Sequence, residues 1–170
     1  SIEIPVQQIF HTRQLRGVHI SEDLLPQFIR SCENERFSLF RKICSILGYS
    51  PLGLSDGQLA AILLNDSGDQ SDSYALEDWL NVASFRSKSA SVLLDYVKAK
   101  RDVSVLRELQ STCPRAYPKF HIQGTVTSRV LASEPRLQQL RKRFRSIVLA
   151  DPGKELLYLD YAQFEPGILS

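Results

Sequence analysis

Few residues of this sequence are of the types that form disulfides or bind soft metal ions. The cysteines are Cys32, Cys44 and Cys113, and the histidines are His11, His19 and His121. The cysteines form no CxxC pair, and their odd number would leave one thiol over in any disulfide scheme. Histidines without the spacing of metal ligands usually have structural or surface roles. We therefore expect buried, reduced thiols and no zinc site.

Long apolar runs are also missing. No run reaches the roughly 18 to 20 residues that cross a bilayer, and the N-terminus lacks the basic-then-apolar order of a signal peptide. Apolar residues make up 43% and charged residues 24% of the chain, as in ordinary globular proteins. We expect an intracellular, soluble protein without a membrane partner, cytoplasmic if its source is bacterial or phage. Its 170 residues suffice for one domain or for two subdomains that share a core.

The net charge of +2 is small, but the charges are unevenly distributed. Residues 111–150 contain eight basic residues and one acidic residue, Glu134, a balance of +7. The basic residues are Arg115, Lys119, Arg129, Arg136, Arg141, Lys142, Arg143 and Arg145. Such a run is typical of surfaces that bind polyanions. The alternative is a solvated face that contributes only solubility.

Apolar residues at helical spacing predict three helices before residue 65. A short helix ends at Gly17, and a long amphipathic helix follows the N-cap Asp23 and ends at Gly48. A third helix begins after the capping sequence Leu54-Ser55-Asp56. Residues 65–73 have no apolar anchor, which predicts a mobile loop.

Two further helices are predicted before residue 114. A brief helix lies around Trp79, within residues 74–85, and a helix of about twenty residues covers 89–110. The polar face of the longer helix carries Lys98, Lys100, Arg101 and Arg107. These cations could lie along a nucleic-acid backbone, or they could simply be solvated.

Pro114 and Pro118 end the helical part of the chain. Residues 120–127 alternate in polarity, and the apolar runs 146–150 and 156–161 are separated by the turn Asp151-Pro152-Gly153-Lys154. These last two runs predict an antiparallel hairpin. The expected fold class is therefore α+β, with a helical subdomain followed by a small antiparallel sheet.

Within the second of these runs, Asp160 directly follows the apolar stretch Leu156-Leu157-Tyr158-Leu159. A carboxylate at the end of a rigid strand is well placed to hold a hard metal ion such as Mg²⁺. Its surroundings read Asp160-Tyr161-Ala162-Gln163-Phe164-Glu165, and about thirty residues upstream lies a second block, Thr127-Ser128-Arg129-Val130-Leu131-Ala132-Ser133-Glu134-Pro135-Arg136-Leu137-Gln138. In order and spacing, the two blocks resemble motifs of family A (polymerase I-like) DNA polymerases.

The resemblance implies a role for each residue of the first motif. Asp160 would bridge two Mg²⁺ ions together with the backbone carbonyl of Tyr161. Tyr161, Gln163 and Glu165 would lie against the incoming dNTP, with Glu165 excluding a sugar 2′-hydroxyl. Phosphoryl transfer is consistent with such a site, because metal ions neutralise charge on the attacking and leaving oxygens.

The upstream block resembles the family's motif that contacts the primer and template near the reactive end. Arg129 would reach the minor-groove side of the primer terminus, and Gln138 would donate to a base or sugar edge. The full set of residues implied or predicted to bind nucleic acid is Thr127, Arg129, Arg136, Gln138, Gln139, Arg141, Lys142, Arg143, Lys98, Lys100 and Arg101.

The resemblance covers almost the whole chain. Arg16-Gly17-Val18-His19-Ile20-Ser21 and Leu54-Ser55-Asp56-Gly57-Gln58-Leu59 look like turns of the family's thumb. The implied organisation is a helical thumb-like subdomain at residues 1–113 and the beginning of a palm subdomain at residues 114–170.

The sequence also departs from the family's pattern at several positions. Ser128, Arg136, Gln139 and Ala162 stand where the family has Gly, Asn, Asn and Ser. Pro166-Gly167 replaces a leucine and an arginine, and this pair disfavours the helix that normally follows the gate glutamate. The second catalytic carboxylate and the nucleotide-binding helix lie further along in the family, so we expect a piece of a longer polypeptide that cannot polymerise alone.

Three functions are compatible with these observations. The first is part of a DNA-directed DNA polymerase, whose partners are primer-template DNA, dNTP and the remainder of the polymerase chain. The second is a non-catalytic, sequence-tolerant DNA-binding module derived from a polymerase. In the third, Asp160 is a hydrogen-bonded acid at a strand end and the basic run is ordinary surface.

Overall fold

The computed structural model describes residues 3–64, 73–121 and 130–157. The α-helices are α1 (Glu3–Arg16), α2 (Leu24–Leu47), α3 (Asp56–Leu64), α4 (Ser73–Ser84) and α5 (Lys88–Gln110). The strands are β1 (Val18–Ile20), β2 (Arg115–Ala116), β3 (Lys119–His121), β4 (Leu131–Ser133) and β5 (Val148–Leu149). Two 3₁₀ helices cover Leu137–Gln139 and Lys142–Ile147. Helices dominate and the strands are short, so the predicted α+β class is confirmed.

Helices α2 and α5 run antiparallel and are the two longest helices in the described part of the chain. Leu25 near the start of α2 shares a buried cluster with Leu106 near the end of α5. Ile43 near the end of α2 shares a second cluster with Leu93 near the start of α5. The pairing of opposite ends requires opposite chain directions, and it divides the core into two parts.

The distal cluster joins the end of α2 to α3, α4 and the first half of α5. Its buried residues are Ile43, Leu59, Ala60, Leu76, Leu80, Ala90, Leu93, Leu94 and Val97. These side chains come from one continuous part of the chain. The apolar faces predicted for the four helices are therefore buried against one another.

The basal cluster joins the start of α2 and the end of α5 to β1, β2 and the second 3₁₀ helix. Its buried residues are Ile20, Leu25, Ile29, Cys32, Val103, Leu106, Leu109, Ala116, Phe144 and Ile147. Residues from both sides of position 113 thus share one core. The division into subdomains at that position stays a prediction.

Two small antiparallel sheets lie at the base. In the first, β1 is the central strand: His19 pairs with Arg115 of β2 and with Leu149 of β5. In the second, β3 and β4 pair through Phe120 and Ala132. The apolar segment at Val18–Ile20 was not predicted as a strand, because three residues are too few to show an alternating pattern.

The helix ends follow the sequence signals, with one correction. Gly48 has φ of 78° and its N–H bonds the carbonyl of Cys44 at 2.9 Å, so the predicted stop of α2 is confirmed. Ser55 and Gln58 form the expected reciprocal capping box, at 3.2 and 2.8 Å. Asp23 is the N-cap residue of α2, as predicted, but its side chain makes no cap bond. The Oγ of Ser21 instead accepts from the N–H of Leu24 at 3.1 Å.

Other predictions are corrected or lie outside the described residues. Ser73 begins α4, so the expected loop 65–73 is one residue too long, and residues 65–72 are not described. The helix around Trp79 spans 12 residues. The expected hairpin stays a prediction: β5 pairs with β1, Leu156 and Leu157 belong to no strand, and residues 158–161 are not described.

The cysteines are free thiols, as expected. Cys32 is buried, whereas Cys44 and Cys113 are only half-buried, so the expectation of buried thiols holds fully for Cys32 alone. Burial raises the pKa of Cys32 to about 11. Among the described residues, no helix combines the length and the apolar character needed to cross a bilayer.

Candidate nucleic-acid interface

Some of the predicted site residues lie outside the described part of the chain. These are Thr127, Arg129, Asp160, Tyr161, Gln163 and Glu165. The described ones are Arg136, Gln138, Gln139, Arg141, Lys142 and Arg143 on the two 3₁₀ helices and their connections, and Lys98, Lys100 and Arg101 on α5. Within residues 3–64, 73–121 and 130–157, no cluster of three His, Cys, Asp or Glu side chains could hold a metal ion.

Gln138 connects the first 3₁₀ helix to β4. Its Oε1 accepts from the N–H of Ala132 at 2.8 Å, and its Nε2 donates to the carbonyl of Val130 at 2.7 Å. Both ends of the amide thus satisfy backbone groups at the start of β4. One amide hydrogen remains for the predicted contact with a base or sugar edge, and that contact stays a prediction.

Arg136 binds to the side of α5. Its Nε donates to Oε2 of Glu108 at 2.7 Å, and its backbone N–H donates to Oε1 of the same carboxylate at 3.2 Å. Its Nη2 also donates to Oγ of Ser104 at 3.1 Å. Charge-assisted bonds of this kind are short and directional, so they fix the segment after Pro135 against the helix.

Arg141 and Arg143 converge on a buried carboxylate of α5. Arg141 Nη1 and Arg143 Nη2 lie 2.8 and 2.7 Å from the same oxygen, Oδ2 of Asp102, whose side chain is 2% exposed. Arg143 Nη2 also lies 2.9 Å from Oε2 of Glu35 on α2. The two cations and two anions of this group cancel in charge. A buried carboxylate requires such partners, because desolvation without them would be very costly.

The environment of Arg143 is partly apolar. Its guanidinium carbon lies 4.6 Å from the ring centre of Phe144, and Phe144 packs edge-on against Phe28 of α2. Burial by itself lowers the pKa of Arg143, but hydrogen bonds to Glu35 and Asp102 outweigh it and the net shift is upward. Arg143 therefore stays charged at any ordinary pH.

The cations of α5 also have partners within the fold. Lys100 binds Asp56 of α3 at 2.9 Å, and Arg101 binds Glu77 of α4 at 2.5 Å. Lys98 Nζ donates to the neutral Oδ1 of Asn81 at 3.2 Å. Arg107 binds Glu33 of α2. Of these four, Lys98 alone has a neutral partner among the described residues.

A third group of charges lies at the turn that leads towards Asp160. Asp151 accepts from Arg16 at the end of α1 at 3.0 Å and from Arg115 in β2 at 2.5 Å. Arg115 Nη1 also donates to the carbonyl of Arg16 at 2.9 Å. Hydrogen bonds from Arg115 and Arg16 lower the pKa of Asp151 to about 2. The turn itself is confirmed: Lys154 N–H bonds the carbonyl of Asp151 at 3.0 Å.

Lys142 differs from its two neighbours. Its side chain is exposed, and it forms no ion pair with another residue in the described ranges. Lys119 in β3, by contrast, is paired with Glu134. Within the predicted basic run, Lys142 is thus a described cation whose charge no described carboxylate offsets directly.

Sequence reasoning missed the carboxylates that pair with the basic run. Asp102, Glu108 and Glu35 lie on helices that are distant in sequence from the arginines they bind. Of the three, only Asp102 has a sequence position that indicates a buried partner. It lies on the apolar stripe of α5, three residues after Ala99 and four before Leu106, where a lone acid indicates a buried partner.

Comparison with protein-family models finds no match. Comparison with curated proteins finds DNA polymerase I of Caldicellulosiruptor bescii, 24% identical over 191 residues, and of Aquifex aeolicus, 23% identical over 159 residues. It also finds a thermostable DNA polymerase I of Thermus filiformis, 23% identical over 189 residues. These matches cover 100%, 89% and 99% of this chain but only 22%, 27% and 23% of the relatives. The chain thus spans about a quarter of their length.

A solved structure shows the same fold. The POL domain of Pol1 from M. smegmatis, in complex with DNA primer-template and dNTP, matches with a TM-score of 0.70 and 19% identity. The match covers 89% of this chain and 30% of that one. Taken together, the sequence relatives and the shared fold support the resemblance to a fragment of a family A (polymerase I-like) DNA polymerase.

Proposed function

We propose that this chain is part of a DNA-directed DNA polymerase and that it binds primer-template DNA. The observation that carries the proposal is the joint match of fold and motif. A polymerase domain bound to primer-template and dNTP has this fold at a TM-score of 0.70. The chain also carries both the Arg129 block and the Asp160 block in the family's order.

In this proposal the helical part and the basal sheet hold the duplex near the primer end. Arg129 and Thr127 contact the primer terminus, and Lys98 and Lys142 supply positive charge towards phosphates. Residues 1–113 act as the thumb and residues 114–170 as the beginning of the palm. Most protein–DNA hydrogen bonds reach phosphate and sugar, so this binding tolerates many sequences.

Asp160 and the carbonyl of Tyr161 are the proposed Mg²⁺ ligands. A carboxylate and a backbone carbonyl are the hard oxygen donors that Mg²⁺ takes, so the donor chemistry fits. Bound Mg²⁺ would neutralise charge on the transferred phosphoryl group. Tyr161, Gln163 and Glu165 would line the dNTP site, where Glu165 would exclude a ribose 2′-hydroxyl.

A binding and extension assay tests the proposal. Titration of the 170-residue chain into a fluorescent primer-template should give an affinity that falls steeply between about 50 and 200 mM salt. Arg129→Ala should weaken binding to a primer-template more than binding to a blunt duplex, whereas Asp160→Ala should leave the affinity unchanged in the absence of metal. The chain alone, with Mg²⁺ and dNTPs, should not extend the primer.

Each outcome has a clear meaning. Salt-independent binding, or none at 50 mM salt, contradicts a DNA-binding role. Primer extension by the isolated chain that is abolished in Asp160→Ala contradicts the expectation that it needs further polymerase segments. A non-catalytic DNA-binding module is favoured if a longer protein that contains this segment binds primer-template but extends no primer with Mg²⁺. This second function is a candidate because Ala162 and Pro166-Gly167 depart from the family's motif.

A further inference from the structure

Residues 141–143 place three cations in a row, but their surroundings differ. Arg141 and Arg143 are hydrogen-bonded to Asp102, whereas the exposed Lys142 between them has no carboxylate partner among the described residues. We infer that Asp102, together with Glu35, withholds Arg141 and Arg143 from nucleic acid and leaves Lys142 as the residue of this row that contacts phosphate. The inference rests on the proposed DNA-binding function and deepens it.

Asp102 and Glu35 balance the charges of Arg141 and Arg143. Asp102 and Glu35 lie within 2.9 Å of the arginine nitrogens, and the group of two cations and two anions is neutral. A phosphate that approaches Arg143 therefore meets the field of two carboxylates as well. Neutralising a DNA phosphate releases counterions condensed on the DNA. A cation without a fixed carboxylate partner can do this without weakening an ion pair of its own, whereas Arg141 and Arg143 cannot.

Asp102 is far more buried than the two arginines that it binds. The Asp102 side chain is 2% exposed, and those of Arg141 and Arg143 are 38% and 40% exposed. The carboxylate cannot turn to water, so it remains a fixed acceptor. The arginines, by contrast, could leave for solvent or for a phosphate if the carboxylate did not hold them.

The group connects two long helices to the segment that carries Lys142. Asp102 is on α5, Glu35 is on α2, and the arginines flank the start of the second 3₁₀ helix. Phe144, the next residue, is buried in the basal cluster. The ion pairs of Arg141 and Arg143 with Asp102 therefore fix the backbone segment that carries Lys142. Asp102 is a positioning residue in this arrangement and touches neither substrate nor metal.

Two double variants that preserve net charge give the sharpest test. Arg143→Gln with Glu35→Gln removes one cation and its carboxylate partner, and Arg141 still compensates Asp102. Lys142→Gln with Asp95→Asn removes the exposed lysine and an exposed acid on α5. Since both preserve net charge, any difference between them reports direct phosphate contact.

The measured quantity is the slope of log binding constant against log salt concentration for primer-template. The Lys142 double variant should lose about 0.9 from the magnitude of the slope, the value for one B-DNA phosphate. The Arg143 double variant should keep the slope of the unmodified chain. Equal losses in both, or a loss only in the Arg143 variant, would overturn the inference.

Asp102→Asn tests the withholding role directly. Released arginines should reach phosphates, so the slope should steepen by as much as about 0.9 per arginine. A merely structural role would leave the slope unchanged or shallower, and either result would overturn the role of Asp102. If this variant does not fold, as judged by circular dichroism, Glu35→Gln replaces it. Glu35 is 42% exposed, so its replacement risks little, and a smaller steepening is expected.

Heparin separates this inference from the proposed function. If the unmodified chain fails to bind primer-template, the proposed function fails, and the same variants are eluted from immobilised heparin by a salt gradient. The Lys142 double variant should then elute at lower salt and the Arg143 double variant at the salt of the unmodified chain. If the two variants elute at the same salt concentration, the inference that Asp102 and Glu35 withhold the arginines is overturned as well.

Discussion

The two ends of the antiparallel pair of helices α2 and α5 are stabilised in different ways. The distal end buries apolar side chains of α2, α3, α4 and α5, and its caps form between residues three apart, as in Ser55 and Gln58. The basal end adds two carboxylates that each bind two arginines. Asp102 binds Arg141 and Arg143, and Asp151 binds two further arginines. One of these is Arg16, which is 135 residues from Asp151 in the sequence.

The difference follows from the lengths of the elements at each end. Helices of nine or more residues bury enough apolar surface to hold one another. The basal strands have only two or three residues each, so they supply few ladder hydrogen bonds and little apolar area. Charged anchors from distant segments therefore add to the basal apolar cluster in holding these strands in place.

The largest expected effect is loss of a distal core side chain. Leu93→Ala in the middle of the distal cluster should lower the free energy of unfolding by about 2–5 kcal/mol, because Leu93 is fully buried and a cavity remains. Urea unfolding in low and in high salt should give the same loss, since apolar burial does not depend on charge screening.

Leu52 serves as the matched control for Leu93. Its side chain is 80% exposed in the connection between α2 and α3, so Leu52→Ala should change the free energy of unfolding by less than about 0.5 kcal/mol. A loss for Leu93→Ala that shrinks markedly in high salt would break the comparison, because the distal end would then depend on charges as the base does.

A smaller effect is expected at a helix cap of the distal end. Ser55→Ala removes the Oγ that accepts from the N–H of Gln58 and leaves that donor to water, which should cost about 1 kcal/mol in urea unfolding. Ser55→Asp retains a capping oxygen and should recover most of the loss. If Ser55→Asp is as unstable as Ser55→Ala, the cap does not contribute as the local hydrogen bonds indicate.

The sequence predicts the distal end well because its signals are local. The glycine stop at Gly48, the capping box at Ser55 and the apolar spacing of α5 lie within a few residues of the features they determine. The strand β1 was missed because its partners, β2 and β5, follow about 95 and 130 residues later and no local pattern specifies such pairing.

The charges of the candidate site show the same limit of prediction from local sequence. Counting residues 111–150 gives a balance of +7, but the count omits Asp102, Glu108 and Glu35, which α2 and α5 bring to the same surface. A sum along the chain cannot include acids that only folding brings near. The net charge around Arg136, Arg141 and Arg143 is therefore smaller than the count along the chain suggests.

The smallest expected effect lies at the basal turn and depends on pH. Hydrogen bonds from Arg115 and Arg16 lower the pKa of Asp151 in the folded protein to about 2. The unfolded value is near 3.9. A lowered folded pKa means that the stabilisation is complete above the unfolded pKa and disappears as the pH falls through the folded one.

Asp151→Asn tests this dependence against the unmodified chain. The difference between their urea midpoints should be constant above about pH 5, shrink between about pH 4 and pH 2, and vanish below that range. It should also shrink in high salt, since the Arg16 side chain is 47% exposed and the pair is partly screened. Lys142→Gln, which breaks no ion pair among the described residues, should give a difference that does not change with pH. A constant difference for Asp151→Asn would mean that the carboxylate does not anchor the turn, and the contrast between the two ends would then depend on Asp102 alone.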